Sequence, residues 1–214
     1  MLELNKIYNE DCLETMARME DNSVDLIFAD PQYNVGKKYT VGDDNKNYWE
    51  YHKGCVAWFK ECIRVSKKII ITPGTQNLSM WIADIKKPTW IGSWNKPNAC
   101  LGSVFANLAV WEPILFYFNN INGRHKRDQW TVNIRVQKDI GAHPCPKPKQ
   151  LLEYIIDDFS DRDNIIYDPF MGSGTTALAA EKYNRQWIGS EINPEYCDIA
   201  NKRISAERNQ TKLF

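Results

Sequence analysis

Two acidic turns are the parts of this chain best suited to chemistry. Asp30 and Pro31 close the apolar run 24–29, and Asp168 and Pro169 close the run 164–167. Each run is short, rich in β-branched and aromatic residues and ended by a proline, which is typical of a buried strand. Because an open α/β sheet binds its ligands at the carboxyl ends of its strands, the two turns predict one site with two tasks.

The first turn offers a carboxylate, a backbone carbonyl and an aromatic ring within four residues. Asp30 can accept a hydrogen bond from an amine, Pro31 can aim its carbonyl because its φ is fixed, and Tyr33 can stack on a flat ring. An amine that is conjugated with a ring is a poor nucleophile until acceptors engage its hydrogens. The turn therefore favours a flat, polar substrate, and the alternative is an ordinary acid that ends a strand.

The second turn runs into Gly172-Ser173-Gly174-Thr175-Thr176, where the backbone can approach a ligand closely. The glycines and the later Glu191 formally fit a dinucleotide-binding fingerprint, so a nicotinamide oxidoreductase is a rival. Asp168 argues against it, because a pyrophosphate is anionic and an acid directly before the loop suits a cationic ligand. Glu191 can accept from both hydroxyls of a ribose. The alternative is that the glycines only allow a tight turn.

The two motifs together resemble the DNA amino-methyltransferases. The resemblance rests on Asp30-Pro31-Gln32-Tyr33-Asn34 followed by the segment 168–176, in the order of that family's beta group, and it covers nearly the whole chain. It implies that a methyl group is moved from S-adenosyl-L-methionine to the exocyclic amine of adenine or cytosine in DNA, as in restriction-modification. Asp30, Pro31 and Tyr33 would be catalytic, and the target base would flip out of the duplex.

The resemblance also implies a set of cofactor-binding residues. Asp11 and Cys12 would contact the cofactor's adenine, Phe170 would pack beside it, and Lys147 would begin the segment along the methionine side. For Asp11 a helix cap is the alternative. The full predicted set is Asp11, Cys12, Lys147, Asp168, Phe170, Gly172, Ser173, Gly174, Thr175, Thr176, Glu191 and Asn193. No metal is expected, because the sulfonium already activates the methyl group.

Gln32 is a departure from the resemblance, since the family usually carries proline there. Glutamine leaves the backbone more freedom, which suggests a catalytically impaired module that binds S-adenosyl-L-methionine and DNA as an alternative function. The aspartate at position 30 resembles the adenine enzymes more than the cytosine-N4 enzymes, and the cytosine reading stays open. A methyltransferase that acts on RNA or protein amides is a further competitor.

DNA contacts are expected from residues near the catalytic turn and from a basic stretch. The predicted substrate-binding residues are Gln32, Asn34, Lys37, Lys38, Arg124, Lys126 and Arg127. A net formal charge of zero argues mildly against nucleic acid, but local patches engage phosphates, and the alternative for the stretch is a solvated loop. A short target-recognition insertion is predicted near 119–137, with a homodimer or a partner subunit as other sources of contacts.

The composition places the chain among ordinary globular domains. It has 214 residues, of which 43% are hydrophobic and 25% charged, so residues 1–214 are predicted to form one domain. Strands that alternate with helices predict a doubly wound, Rossmann-like α/β sheet. No run spans a membrane and no signal pattern opens the chain, so the cytoplasm is expected. The scattered cysteines and the three histidines do not form the spacing of a zinc site.

Overall fold

The structure is a computed structural model that describes residues 2–37, 44–99, 110–118, 127–134 and 146–211. Its strands are β1 (Lys6–Tyr8), β2 (Leu26–Ala29), β3 (Ile69–Ile71), β4 (Trp90–Asn95), β5 (Trp111–Tyr117), β6 (Gln129–Thr131), β7 (Ile165–Asp168) and β8 (Gln186–Ser190). Its helices are α1 (Cys12–Met16), α2 (Tyr48–Val65), α3 (Leu78–Met80), α4 (Lys149–Phe159), α5 (Thr175–Lys182) and α6 (Pro194–Thr211).

Within these ranges the strands form one sheet in the order β1-β8-β7-β2-β3-β5-β4-β6. Strands β1, β8, β7, β2 and β3 are parallel, and β5 runs antiparallel to β3 and β4. From β7 the chain winds outward through α5 to β8, whereas from β2 it winds the other way through α2 to β3. The direction of winding therefore reverses between β7 and β2. This confirms the predicted doubly wound α/β fold and marks where such sheets bind ligands.

Strand β2 is buried on both faces, which explains its unbroken apolar run. Leu26 and Phe28 point into a core with α4 and α5, while Ile27 and Ala29 point into a second core with α1 and α2. Successive side chains of a strand face opposite sides of the sheet, so a strand covered on both faces needs apolar residues at every position. The sandwiched strand holds the following residue, Asp30, at a fixed place on the sheet edge.

The helical spacing of the apolar residues at 55, 58, 59, 62 and 65 predicts an amphipathic helix over 48–65. Helix α2 runs over that range, and these residues are buried in it. Its start is capped by the side chain of Asn47, which accepts from the amide of Glu50 at 3.0 Å. The sequence also predicts a helix over 78–85, and the structure differs in detail, because α3 continues as a π-helical turn, Trp81–Ile85. There the amide of Lys86 donates to the carbonyl of Trp81, five residues back. Among the described helices, none is long and apolar enough to cross a membrane.

Gly174 begins α5 with a φ of +82°, in the left-handed region that disfavours residues with a Cβ. A Cβ at this position would lie 2.9 Å from the Cβ of Ala200 in α6. We therefore expect Gly174→Ala to lower the free energy of unfolding by about 1–3 kcal/mol, measured by urea denaturation without cofactor. Gly54→Ala is the control, because its Cβ meets nothing within 4 Å and alanine stabilises a helix by roughly 0.5–1 kcal/mol. Equal effects of the two variants would contradict this account.

Candidate active site

The carboxyl ends of β2 and β7 open into a cavity of about 380 Å³. It brings together most residues of both predicted motifs. The predicted site residues that line it are Asp11, Cys12, Asp30, Pro31, Gln32, Tyr33, Asn34, Lys37, Lys147, Asp168, Phe170, Gly172, Ser173, Thr175, Thr176, Glu191 and Asn193. Gly174 lies at the start of α5, between the lining residues Ser173 and Thr175, and does not itself line the cavity. Lys38, Arg124 and Lys126 lie outside the described residues.

The carboxylate of Asp30 is at the centre of a hydrogen-bonded cluster. Its Oδ1 accepts from the hydroxyl of Thr72 at 2.7 Å and from the hydroxyl of Tyr33 at 3.0 Å. The ammonium of Lys147 donates to Oδ1 at 2.6 Å and to Oδ2 at 2.8 Å. Charge-assisted bonds of this kind are stronger than neutral ones, so they hold the carboxylate in one orientation.

A second carboxylate, that of Glu112 in β5, completes the cluster. Its Oε1 accepts from the ammonium of Lys96 at 2.7 Å. Its Oε2 is 3.1 Å from the hydroxyl oxygen of Tyr33, whose single hydrogen is shared between this oxygen and Oδ1 of Asp30. Burial favours a higher pKa for Glu112, but Lys147 and Lys96 outweigh it and hold the pKa at about 2. Burial and the carboxylates of Asp30 and Glu112 raise the pKa of Tyr33 well above its usual range, so its hydroxyl remains a donor.

Side chains from other elements hold the backbone of the loop formed by residues 30–34, the Asp30 loop. The hydroxyl of Tyr51 in α2 donates to the carbonyl of Gln32 at 2.8 Å, and Nδ2 of Asn77 donates to the carbonyl of Tyr33 at 2.8 Å. Gly74 packs so closely on the ring of Tyr33 that a Cβ there would come within 2.8 Å of Cδ2. The loop therefore has external supports at Gln32 and at the residue that follows it.

The residues after Tyr33 are fixed by a buried acid. Asp44 accepts from the backbone amides of Asn34 at 2.8 Å, Val35 at 3.2 Å and Lys37 at 2.8 Å. Asn34 has a φ of +56° and exchanges two hydrogen bonds with the backbone of Lys46, at 2.7 and 2.8 Å. Asparagine tolerates this left-handed conformation better than most residues. The turn is thus closed by its own short-range partners.

Asp168 occupies the other half of the cavity. Its Oδ1 accepts from the amide of Phe170 at 2.9 Å, and its Oδ2 accepts from the hydroxyl of Thr176 at 2.5 Å. Burial raises the pKa of Asp168 to about 7, although both hydrogen bonds favour the ionised form. The charge of this carboxyl group is therefore sensitive to a cation that enters the cavity.

Glu191 follows β8 and faces the glycine turn. Its carboxylate accepts from the amides of Gly172 and Asn193, each at 2.8 Å, and burial raises its pKa. Each carboxylate oxygen retains capacity for a further donor such as a hydroxyl. Nδ2 of Asn193 is buried and meets no acceptor among the described residues, although Oδ1 of the same side chain caps α6. This half of the cavity thus offers both acceptors and a donor to a polar ligand.

Among the described residues that were predicted to contact DNA, Arg127 is the one that does not line the cavity. It precedes β6, which runs parallel to β4, so it lies toward the amino ends of these strands, at the opposite edge of the sheet. Its guanidinium pairs with Asp158 at 3.1 Å and lies 4.6 Å from the ring centroid of Tyr154. The described part of the predicted insertion also contains β6 itself, which belongs to the sheet.

Comparison with known proteins places this site in a family. The N6/N4 DNA methylase family matches residues 24–113 and 86–202. The type II methyltransferase M.HinfI of Haemophilus influenzae is 30% identical over 94% of this chain and 68% of its own length. M.HpaI of Haemophilus parainfluenzae is 29% identical over 92% of this chain and 73% of its own length. The chain belongs to the N6/N4 DNA methylase family.

Solved structures share the fold of this DNA methylase. The PvuII DNA methyltransferase, which is cytosine-N4-specific, aligns with a TM-score of 0.71 over 96% of this chain and 91% of its own, at 17% identity. A putative DNA modification methylase of Thermus thermophilus, in complex with S-adenosyl-L-methionine, aligns with a TM-score of 0.69 over 94% and 93%, at 20% identity. The chain is a DNA amino-methyltransferase that uses S-adenosyl-L-methionine.

The residues of the cavity fit this cofactor. Asp168 and Glu191 are acceptors suited to an amino group and to ribose hydroxyls, and Nδ2 of Asn193 is a buried donor without a protein partner among the described residues. Phe170 supplies an apolar wall that packs edge-on against Trp58, with ring centroids 5.1 Å apart. A polar set beside an apolar wall is the usual make-up of a nucleoside site.

Three members of the Asp30 cluster were not among the predicted site residues. Thr72, Lys96 and Glu112 lie on segments of the chain that are far from either motif. One signal for them existed in the sequence, namely a charged residue inside the apolar run 110–118. Thr72 directly follows β3 as Asp30 follows β2, and that equivalence becomes visible only once the two strands are known to pair.

Asn77→Ala tests whether the Asp30 loop depends on its external supports. The substitution removes the hydrogen bond to the carbonyl of Tyr33, worth roughly 1.5 kcal/mol, so methyl transfer should slow by about tenfold. The measurement is single-turnover incorporation of labelled methyl groups into plasmid DNA from a methylation-free host. Gln76→Ala is the control, because Gln76 is an exposed neighbour. If Gln32→Pro instead accelerates transfer by tenfold or more, the loop is not held in the way described.

Asp168 predicts that cofactor binding depends on pH. Its pKa is about 7, and a cationic ligand favours the ionised form, so affinity should rise by up to about tenfold per pH unit below 7 and then level off. Calorimetric titration with S-adenosyl-L-methionine between about pH 5.5 and pH 7.5 measures this rise. Asp168→Asn should weaken binding and flatten the profile, whereas Asp163→Asn, an exposed residue before β7, should retain it. A flat wild-type profile would contradict the assigned contact.

Proposed function

We propose that this DNA methylase transfers the methyl group to the exocyclic N6 amine of adenine. The observation that carries the proposal is the rigid pair of acceptors at the end of β2, the Asp30 carboxylate and the Pro31 carbonyl, beside the cofactor half of the cavity. The aspartate at position 30 resembles the adenine enzymes. The cytosine-N4 alternative is kept because both bases carry an amine that these acceptors suit.

The residues around Asp30 prepare a nucleophile. Asp30 and the carbonyl of Pro31 accept hydrogen bonds from the two N–H groups of the target amine, which draws its nitrogen toward tetrahedral geometry and frees the lone pair. The proton that this nitrogen loses when it is methylated can pass to the carboxylate of Asp30. Tyr33 supplies a ring on which the flipped base stacks, and such stacking is worth roughly 1–3 kcal/mol. Because the acceptors are held before the base arrives, they need little reorganisation during the reaction.

The second half of the cavity holds the cofactor, which supplies an electrophilic methyl group on a sulfonium. Asp168 accepts from its amino group, and Glu191 accepts from its ribose hydroxyls. Phe170, Asp11 and Cys12 border the adenine, and the turn from Gly172 to Thr176 lets the backbone approach closely. These residues would hold the cofactor next to the half of the cavity that contains Asp30, so most of the catalysis is positioning.

Recognition of DNA is proposed to use the mouth of the cavity near Asn34 and Lys37, together with Lys38 and the basic stretch Arg124 and Lys126. Lys37 lines the cavity. The similarity to M.HinfI and M.HpaI supports a role in modifying the sites of a type II restriction system. Phosphate contacts position such a protein, and base contacts specify the sequence.

Identification of the methylated base tests the proposal. The protein is incubated with labelled S-adenosyl-L-methionine and plasmid DNA from a methylation-free host, and the DNA is digested to nucleosides. The expected product is N6-methyladenosine, in its deoxy form. Label in N4-methyldeoxycytidine would establish the alternative base, and label only in RNA or protein acceptors would overturn the assignment of DNA.

Asp30→Asn tests the catalytic role within the same assay. The variant keeps the shape of the side chain but loses its charge, so methyl transfer should fall by at least about 100-fold while cofactor affinity stays near that of the wild type. Asp25→Asn is the matched control, because Asp25 is exposed and precedes β2 at the opposite edge of the sheet. Retention of most activity by Asp30→Asn would remove Asp30 from the mechanism.

A further inference from the structure

Lys147 lies at the catalytic carboxylate, although the motif that contains it was expected along the cofactor. Its ammonium contacts both oxygens of Asp30 at 2.6 and 2.8 Å, and the hydroxyl of Tyr33 at 2.9 Å. Oε2 of Glu112 is 3.5 Å away. The side chain is only 10% exposed, so these contacts form largely out of water, where they are strong.

The surrounding charges explain why a lysine can be buried at this position. The cluster contains two acids, Asp30 and Glu112, and two bases, Lys96 and Lys147, so its formal charges cancel. Lys96 pairs with Oε1 of Glu112, which leaves Lys147 to serve Asp30 and Oε2. Buried charges are tolerated when they are paired, and removal of one partner leaves the other uncompensated. Lys147 is therefore the electrostatic partner that Asp30 requires.

The two carboxylate oxygens of Asp30 differ in the number of donor groups that they contact. Among the described residues, Oδ1 lies within hydrogen-bond distance of three donor groups, namely those of Thr72, Tyr33 and Lys147. Oδ2 accepts only from Lys147 in the same part of the chain. A carboxylate oxygen can take a second donor, so Oδ2 is the oxygen with room for an incoming amine.

We propose that Lys147 is a positioning residue for methyl transfer, and this rests on the proposed role of Asp30. Its ammonium fixes the carboxylate so that Oδ2 faces the target amine, and it ties that carboxylate to Tyr33, the stacking ring. The carboxylate of Glu112, whose Oε2 lies 3.5 Å from the ammonium of Lys147, holds that ammonium in place. Lys147 thereby aligns the two groups that must contact the same base, namely the carboxylate of Asp30 and the ring of Tyr33.

Lys147→Met tests the proposal by separating the rate of transfer from cofactor binding. Loss of the contacts from Lys147 to Asp30 and Tyr33 should slow single-turnover methyl transfer by about 100-fold, since a small misplacement of reacting groups has an effect of that size. The affinity for S-adenosyl-L-methionine should stay within about twofold of the wild type. Lys147→Arg keeps the charge in a different geometry, so it should recover part of the rate. Lys149→Met is the control, because that lysine pairs with Glu207 in α6.

Glu112→Gln supplies a second, independent arm. If Glu112 acts by holding Lys147, the substitution should slow transfer in the wild type but change the rate of Lys147→Met by less than about twofold. Multiplicative effects in the double variant would overturn the proposal, because they would show that the two residues act separately. If Lys147→Met does not fold, the rate of methyl transfer by Glu112→Gln tests the proposal in its place. An unchanged rate in that variant rejects the positioning role of Lys147.

The remaining outcomes are distinguishable from a failure of the proposed function. An undiminished rate in Lys147→Met, together with a large loss in Asp30→Asn, would reject only the role of Lys147. If Lys147→Met loses cofactor affinity in parallel with its rate, Lys147 acts by contacting the cofactor, and its proposed positioning of Asp30 is rejected. Activity retained in both Lys147→Met and Asp30→Asn would reject the catalytic assignment itself.

Discussion

The parallel pairing of β2 with β7 is the constraint on which the site depends. It aligns Leu26 with Ile166 and Ile27 with Tyr167, so the strands end side by side and the acids Asp30 and Asp168 share one edge of the sheet. The chain winds away from this pair in opposite directions, which leaves a crevice above it. One half of the crevice suits a cationic nucleoside ligand and the other an amine, so the two reactants meet where two strands meet.

Charge neutrality in the buried cluster is the second requirement of the site. Asp30 and Glu112 are matched by Lys96 and Lys147, and the matching depends on the antiparallel strands β4 and β5. Because β5 begins at the edge where β3 ends, Glu112 lies beside the Asp30 loop and contacts Tyr33. The antiparallel strand β5 and the end of β4 thus supply Glu112 and Lys96, the charges that surround Asp30 at the edge of the parallel strands.

The Asp30 loop shows how tertiary contacts can replace local stiffness. Gln32 takes a position where the resemblance expects a proline, yet Tyr51 and Asn77 hold the carbonyls of Gln32 and Tyr33. Asp44 fixes the following amides, and Gly74 leaves room for the ring of Tyr33. Proline limits the backbone through its own φ, whereas here the limits come from hydrogen bonds and packing. The catalytically impaired alternative is therefore not favoured.

The sequence by itself determined the strands at the two acidic turns, the extent of α2, the glycine turn and the family, because these depend on local periodicity and on short motifs. Tertiary structure decided the strand order, and with it the contacts of Thr72, Lys96 and Glu112 with the Asp30 cluster. It also placed Lys147 on a carboxylate 117 residues away and Arg127 at the opposite edge. Pairing between distant strands leaves little trace in either segment alone, so a charged side chain acquires its partner only when the sheet forms.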